Sequence, residues 1–235
     1  MDFWEIYAGC GNLTAACLEP AVGGALSVGP PVEIKQVSQW PQLSFRWDLL
    51  LPSCRKILWA VLVVCKPKWV HCGPPCTFWS QLARCNNRRT EATHEALRAE
   101  AAVHIILTSQ VCRYQAAHGR HASLEHPPTA ASWKLDVMRA LFLDIGMTRF
   151  VTDSCPWGHL DPGNGVRFKK RGCFASWVSL AALERKCACV GEHQTVHRTV
   201  QGGTRHGERR SQVSGEYPHA WCIAFAKVIR EFIHP

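Results

Sequence analysis

Near its start the chain reads EIYAGCGNLT, residues 5–14, in which a short apolar run gives way to two closely spaced glycines. Residues 3–7 are therefore predicted to form a strand, and Gly9 and Gly11 a tight turn that opens a helix. Glycines in such a turn allow the backbone to approach a nucleoside ligand closely. An ordinary turn before a helix has the same pattern, so both interpretations stay open for this stretch.

In the first half of the chain, short apolar runs alternate with helical segments, which is typical of a mostly parallel sheet covered by helices. Further strands are predicted at residues 69–72, 122–125 and 147–152. Helices are predicted at residues 91–117 and 133–144, and an amphipathic closing helix at residues 218–233. We therefore predict an α/β domain with the closing helix packed on the sheet.

The length of 235 residues allows one well-buried domain and a small appendage. We assign a core to residues 1–175, a short basic appendage or loop to residues 176–216, and the closing helix to residues 217–235. The longest apolar run, residues 57–65, is well short of the roughly 18 residues of a membrane span. No secretory signal or membrane association is expected. We predict an intracellular protein, in the nucleus of a eukaryote and otherwise in the cytoplasm.

The formal net charge of the chain is +9. Residues 165–210 contain ten Lys or Arg against Glu184, Glu192 and Glu208, which places +7 in this one stretch. The composition predicts a polyanionic partner such as nucleic acid, although a solvated basic surface has the same composition. The 13 cysteines are odd in number and scattered, so reduced thiols are expected and not a disulfide framework.

A second distinctive stretch reads WVHCGPPCTFWS, residues 69–80. Pro74 and Pro75 rigidify the exit of a buried strand and hold Cys76 at the carboxyl edge of the sheet, where open α/β sheets bind ligands. A thiolate at this edge can act as a nucleophile if its surroundings lower its pKa. A purely structural cysteine would explain neither the paired prolines nor the position after a strand.

Two carboxylates are candidates for the same edge of the sheet. Glu125 ends the predicted strand in ASLEHP, residues 122–127, where burial is costly unless the carboxyl is paired or protonated. Glu33 lies 22 residues beyond Gly11, close to the spacing of about 20 at which an acidic residue binds a ribose in dinucleotide-binding folds. The alternative for both is a carboxylate in solvent, at a strand end or in a loop.

Together these segments resemble the DNA cytosine-C5 methyltransferase family, over residues 3–175 and the terminal helix. The resemblance implies a Rossmann-like methyltransferase fold, S-adenosylmethionine as methyl donor and DNA as partner and substrate. Tyr7, Gly9 and Gly11 match the family's cofactor loop, and Asp48 matches one of its acidic positions. With Glu33, which is predicted from its spacing, and with Ala8 and Pro74, they form the predicted cofactor-binding set. The acidic position at Asp48 is the one that contacts the adenine in this family.

The resemblance also implies catalytic residues. Cys76 matches the nucleophile of the family's P-C-x-x-x-S pattern, which Ser80 completes, and Glu125 matches the Glu of its E-N-V segment. Arg167 and Arg171 fall near its R-x-R segment, although their spacing is not the usual one. In the implied reaction the Cys76 thiolate adds to C6 of a flipped-out cytosine while Glu125 holds N3 and the exocyclic amine.

The sequence departs from the family pattern in two segments. The E-N-V segment reads EHP, residues 125–127, and therefore lacks the Asn that supports the neighbouring loop. No G-N-S segment precedes the last helix, where SGEYP, residues 214–218, stands instead. The region before that helix is also short for a target-recognition domain, which favours electrostatic binding of nucleic acid over sequence-specific readout.

Three interpretations of the function follow. RNA cytosine methyltransferases place their nucleophile in a later Thr-Cys segment, and at that place the chain has Leu124 and Glu125, so the DNA-type mechanism is predicted. RNA is the alternative substrate, because one branch of the DNA-type family methylates transfer RNA. An inactive relative that only binds nucleic acid is the alternative from another functional class.

A last stretch, CACVGEHQTVH at residues 187–197, contains two Cys and two His. Cys187, Cys189, His193 and His197 provide enough ligands for a tetrahedral zinc site. Such a site would be structural, because four protein ligands leave no open position. The C-x-C spacing is tighter than usual, and unliganded thiols beside surface histidines are the alternative.

Overall fold

The computed structural model describes the chain except for residues 36, 38, 39, 41, 43, 44, 81–89, 162–164, 169, 190–196 and 198–214. In these described parts, a five-stranded sheet has the spatial order β1-β2-β3-β5-β4. The strands are β1 (Phe3–Ile6), β2 (Trp69–Cys72), β3 (His121–His126), β4 (Thr148–Asp153) and β5 (Arg171–Ser176).

The direction of the strands brings three chain segments to one edge of the sheet. β1, β2 and β3 are mutually parallel, so their carboxyl ends lie side by side. β5 runs antiparallel to both β3 and β4, with Cys173 opposite His126, so that the residues just before β5 reach the same edge. Single parallel bridges from Phe3 to Val28 and from Ile6 to Val32 bring a further segment beside β1.

Helices cover both faces of this sheet. They are α1 (Asn12–Ala16), α2 (Pro52–Cys65), α3 (Glu91–Ala117), α4 (Asp136–Asp144) and α5 (His219–Ile233). Because side chains alternate along a strand, Val70 of β2 packs in a core with α2, α3 and α4, while Trp69 packs in a second core with α1 and α5. This arrangement confirms the predicted α/β Rossmann-like fold, with a mixed sheet in which only β5 runs against the other strands.

The α5 helix is held on the sheet by aromatic side chains. The ring of Trp221 stacks on Phe174 of β5 at a centroid distance of 4.5 Å, and Phe225 meets the edge of Trp69 at 6.0 Å. Phe225 and Trp221 are almost completely buried. No helix among the described residues has the length and apolar character needed to cross a membrane.

Candidate active site

A cavity of about 570 Å³ opens at the carboxyl edge of β1, β2 and β3. This volume falls within the range of about 300–1,000 Å³ that is typical of small-ligand sites. Its walls come from residues 7–10 after β1, residues 32–35 and 47–50, residues 73–78 after β2, and residues 215–217 before α5, together with Glu125 and Lys170. The cavity therefore joins the three sequence segments that were singled out as functional candidates.

The loop after β1 has the backbone geometry that its glycines predict. Gly9 and Gly11 have φ angles of 59° and 80°, and Tyr7 also has a positive φ of 63°. Tyr7, Ala8 and Gly9 line the cavity directly. Gly11 lies behind them, where a Cβ atom would come within 2.6 Å of Cγ1 of Val37. Gly11 is thus required by close packing as well as by its φ angle.

The predicted acidic residues lie in the wall beside this loop. Glu33 Oε2 accepts a hydrogen bond from the Gly9 backbone N–H at 2.9 Å, and its Oε1 accepts one from the Ile34 N–H at 2.9 Å. Asp48 also lines the cavity and accepts from the Leu50 N–H at 3.0 Å. Both carboxylates keep lone pairs that can accept further hydrogen bonds, such as those from ribose hydroxyls or an adenine amine.

Cys76 also lines the cavity, after the two prolines. The loop is anchored by Gly73, whose N–H donates to the Ile6 carbonyl at 3.0 Å, and Pro74 lines the cavity next to it. After Cys76 the chain turns, with the Trp79 and Ser80 N–H groups donating to the Cys76 carbonyl at 3.0 Å. Ser80 thus helps to form the turn that holds the thiol.

The charges around Cys76 act in opposite directions. Burial raises the pKa of the Cys76 thiol, and the nearby Glu125 carboxyl raises it further, whereas the Lys170 ammonium lowers it. Glu125 lies near the end of β3, where burial raises its own pKa and Lys170 again opposes the shift. Lys170 is thus the cation that favours the ionised form of both groups.

The two arginines expected at this site lie elsewhere. Arg171 forms a two-pronged ion pair with Asp153, with Nε–Oδ1 and Nη2–Oδ2 distances of 2.7 and 3.1 Å. Arg167 is exposed and forms a bridge with Leu160. Neither is among the described residues that line the cavity, whereas Lys170 is. Alternation along the chain explains the difference, since neighbouring residues of an extended segment point in opposite directions.

His126 occupies the position after Glu125 where the family pattern has Asn. Its Nδ1 lies 2.7 Å from the Ser132 hydroxyl, and its imidazole interacts with the backbone of Pro74 and Pro75. Burial lowers the pKa of His126 to about 4, although the two proline carbonyls raise it in part. A neutral histidine therefore lies against the loop that carries Cys76.

Sequence reasoning missed two aromatic side chains of the cavity wall. Tyr217, which precedes α5, contacts Nε2 of His71 through its hydroxyl at 3.1 Å, and its carbonyl accepts from the Asn12 side chain at 3.1 Å. His104 of α3 lies 3.2 Å from the Tyr7 hydroxyl. The only sequence signal for Tyr217 was its place in the segment before the last helix.

The structure also groups cysteines and a histidine outside the cavity. Ligand atoms of Cys155, Cys187, Cys189 and His197 all lie within 4.8 Å of one another. Three of these residues belong to the predicted zinc ligands, and Cys155 is an addition from a distant part of the sequence. The fourth predicted ligand, His193, lies outside the described residues.

No protein-family model matches the chain, and no curated protein sequence matches it. Its fold is similar to that of solved methyltransferases. The methyltransferase EhMeth of Entamoeba histolytica superposes with a TM-score of 0.50 at 12% sequence identity, over 76% of this chain and 53% of EhMeth.

Two further solved structures are similar at lower TM-scores. The Dnmt2 methyltransferase of S. pombe has a TM-score of 0.45 at 8% identity, over 75% of this chain and 49% of that one. A mutant of DNMT2 from Spodoptera frugiperda has a TM-score of 0.40 at 13% identity, with coverages of 75% and 49%. The chain thus spans about half the length of these proteins, and it shares the α/β Rossmann-like fold of EhMeth.

Proposed function

We propose that the protein is a cytosine-C5 methyltransferase that uses S-adenosylmethionine, with Cys76 as nucleophile and DNA as substrate. One observation supports this proposal above all others. A single cavity is lined by two groups of residues, the glycine loop with Glu33 and Asp48, and Cys76 with Glu125 and Lys170. A methyl donor held by the first group and a cytosine held by the second would therefore share one cavity.

The residues of the first group suit S-adenosylmethionine. Glu33 would accept hydrogen bonds from the ribose hydroxyls, and Asp48 would accept one from the adenine amine. Apolar side chains that line the same cavity, among them Trp47 and Leu49, would contact the adenine ring. When bound there, the cofactor supplies an electrophilic methyl group.

In the second group, Cys76 would add to the cytosine ring. Attack of its sulfur on C6 makes C5 electron-rich enough to accept a methyl group, and loss of the C5 proton then expels the sulfur. Burial raises the pKa of Glu125 and so favours its protonated form, in which the carboxyl can donate to N3 and accept from the exocyclic amine. This pair of hydrogen bonds selects cytosine and stabilises the charge that attack places on the ring.

Lys170 would promote the same step in two ways. Its ammonium lowers the pKa of Cys76 and so raises the fraction of nucleophilic thiolate. It can also donate to the cytosine O2, where negative charge develops during attack. The resemblance implied Arg167 and Arg171 as the basic residues of the site, whereas the basic residue that we propose for this role is Lys170, which lines the cavity.

Nucleic acid is the substrate class that fits the charge of the chain. The net charge of +9 favours a polyanion, and base extrusion would bring a cytosine from the helical stack into the cavity. DNA is proposed because the motifs resemble those of the DNA-type family, and RNA is tested beside it because one branch of that family uses the same nucleophile on transfer RNA.

Transfer of tritiated methyl groups to DNA and to RNA, measured side by side, tests the proposal. We expect incorporation into cytosine-containing DNA, lost in Cys76→Ala and retained in Cys65→Ser, whose thiol is exposed at the end of α2. Methyl transfer to RNA alone would mean that RNA, and not DNA, is the substrate. A folded wild-type protein that methylates neither would contradict the proposed activity.

A further inference from the structure

Four side chains from two distant parts of the sequence meet beside the end of β4. Cys155 lies in a short 3-10 turn just after β4, and Cys187, Cys189 and His197 come from the segment after β5. We propose that these four residues bind one zinc ion in a structural site. The proposal concerns a different place from the cavity and does not depend on the proposed methyl transfer.

All four ligand atoms lie within 4.8 Å of one another, and two of the distances between them match a tetrahedral zinc site. Bonds of about 2.3 Å to sulfur and about 2.0 Å to nitrogen require neighbouring ligand atoms to lie about 3.5 to 3.8 Å apart. The Sγ atoms of Cys155 and Cys189 are 3.5 Å apart, and Cys187 Sγ is 3.7 Å from His197 Nε2. The 3.0 Å contact of His197 Nε2 with Cys155 Sγ is shorter and has to open slightly when a metal enters.

The ligand set also favours zinc. Three sulfurs and one imidazole nitrogen form a Cys3His set, which is typical of structural zinc sites. On binding, the three thiols lose their protons to solvent and His197 contributes the lone pair of Nε2, which leaves the occupied site with a net charge of −1. All four positions are then taken by protein atoms, so no position remains for a catalytic water.

A surrounding layer of hydrogen bonds is already in place. Asp153 accepts from the Cys187 backbone N–H at 2.9 Å through Oδ2, and the guanidinium of Arg171 pairs with the same carboxylate. Arg171 thereby places a positive charge close to a site that becomes negative. Such outer partners orient metal ligands and are part of most metal sites.

The site would fix the part of the sheet that presents Lys170 to the cavity. Ser154, next to Cys155, donates its N–H to the Lys170 carbonyl at 2.8 Å and accepts from the Lys170 N–H through its hydroxyl at 3.0 Å. The zinc ion would therefore tie the segment that contains Cys187 to the turn that holds Lys170. Metal loss should loosen this turn without removing any group from the cavity.

Zinc content of the protein, purified without added metal or a metal-binding tag, tests the proposal. We expect about one zinc ion per chain for the wild type and for Cys65→Ser, an exposed thiol outside the cluster. Cys155→Ala and His197→Ala should each lose most of the metal, whereas His193→Ala should retain it. Loss with His193→Ala and retention with His197→Ala would overturn the ligand set.

Cobalt binding provides a second measurement that does not depend on folding of the variants. Wild-type protein stripped of metal and titrated with Co²⁺ should show the intense visible bands of a tetrahedral ion and a thiolate charge-transfer band. A folded wild-type protein without zinc that also gives no tetrahedral cobalt spectrum would overturn the proposal. The same holds if Cys155 and Cys189 are found in a disulfide.

Discussion

Glu5 is a buried carboxyl beneath the glycine loop, and its pKa makes stability depend on pH. The side chain is 1% exposed, and its Oε2 accepts hydrogen bonds from the backbone N–H and the hydroxyl of Thr14 in the first turn of α1. Burial raises the pKa of Glu5 from 4.5 to about 7, although these two hydrogen bonds lower it in part. Folding therefore favours the protonated carboxyl.

The sign and size of the effect follow from this pKa. Between about pH 4.5 and pH 7 the unfolded chain gives up a proton that the folded protein keeps, so the free energy of unfolding falls as pH rises. A pKa shift of this size corresponds to a loss of about 3 kcal/mol in the free energy of unfolding. Glu5→Gln keeps an oxygen that can accept from Thr14 and removes the titration. The free energy of unfolding of Glu5→Gln, measured relative to that of the wild type, should therefore increase by about 2 to 3 kcal/mol from about pH 5 to about pH 8.

Urea unfolding of the wild type and Glu5→Gln at the two pH values measures this difference. Glu95→Gln, an exposed substitution on α3, controls for the loss of a carboxylate at the surface. A stability difference between wild type and Glu5→Gln that stays constant across the pH range would refute the reasoning, because it would mean that Glu5 titrates alike in both states.

Two further substitutions test the two groups of residues at the cavity. Gly11→Ala puts a Cβ within 2.6 Å of Val37 at a φ of 80°, so we expect it to lose more than about 1 kcal/mol of stability and to weaken S-adenosylmethionine binding in calorimetry. Gly119→Ala, at a φ of 64° with open space around it, should show the backbone strain alone and leave binding unchanged. Lys170→Met should raise the pKa of Cys76 and so shift the acid limb of the pH-rate profile to higher pH. Lys170→Arg keeps a cation and should largely restore the wild-type profile. An unshifted profile in Lys170→Met would mean that Lys170 does not control the thiol.

Local signals located much of the fold in the sequence. The strand at Trp69–Cys72 and the helix at Glu91–Ala117 have the predicted bounds, because Gly73 ends the first and the Thr90 hydroxyl caps the second by accepting from the Thr93 N–H. The helix predicted at residues 133–144 was partly wrong. Leu135 is extended, with ψ at 141°, so α4 begins only at Asp136, after a separate 3-10 turn.

The candidate site could be located in part for a topological reason. Parallel strands bring the residues near their carboxyl ends to one edge of the sheet. Cys76 follows β2, Glu125 lies near the end of β3, and Glu33 follows the bridge that Val32 forms with β1, so all three line the cavity at this edge. The sequence could not distinguish Lys170 from its basic neighbours. Side chains alternate along an extended segment, so the residue at which β5 begins determines which of these side chains faces the cavity. Cys155 could not be assigned to the metal cluster, because 32 residues separate it from Cys187 and only the tertiary fold brings them together.

In the proposed reaction, the Cys76 sulfur bonds to cytosine C6 before the methyl group is transferred. A cytosine with fluorine at C5 can pass through these two steps but cannot lose its C5 substituent as a proton, so enzyme and nucleic acid stay joined. Denaturing gels of the protein with fluorocytosine-containing DNA or RNA and S-adenosylmethionine show such an adduct directly.

We expect a slowly migrating adduct between wild-type protein and fluorocytosine-containing DNA, which Cys76→Ala abolishes while it leaves cofactor binding intact. Cys72→Ala removes a fully buried thiol four residues earlier and should leave the adduct in place. An adduct that survives Cys76→Ala and disappears in Cys72→Ala would contradict the assignment of the nucleophile. Absence of an adduct with both DNA and RNA, in folded protein that binds the cofactor, would contradict the covalent mechanism itself.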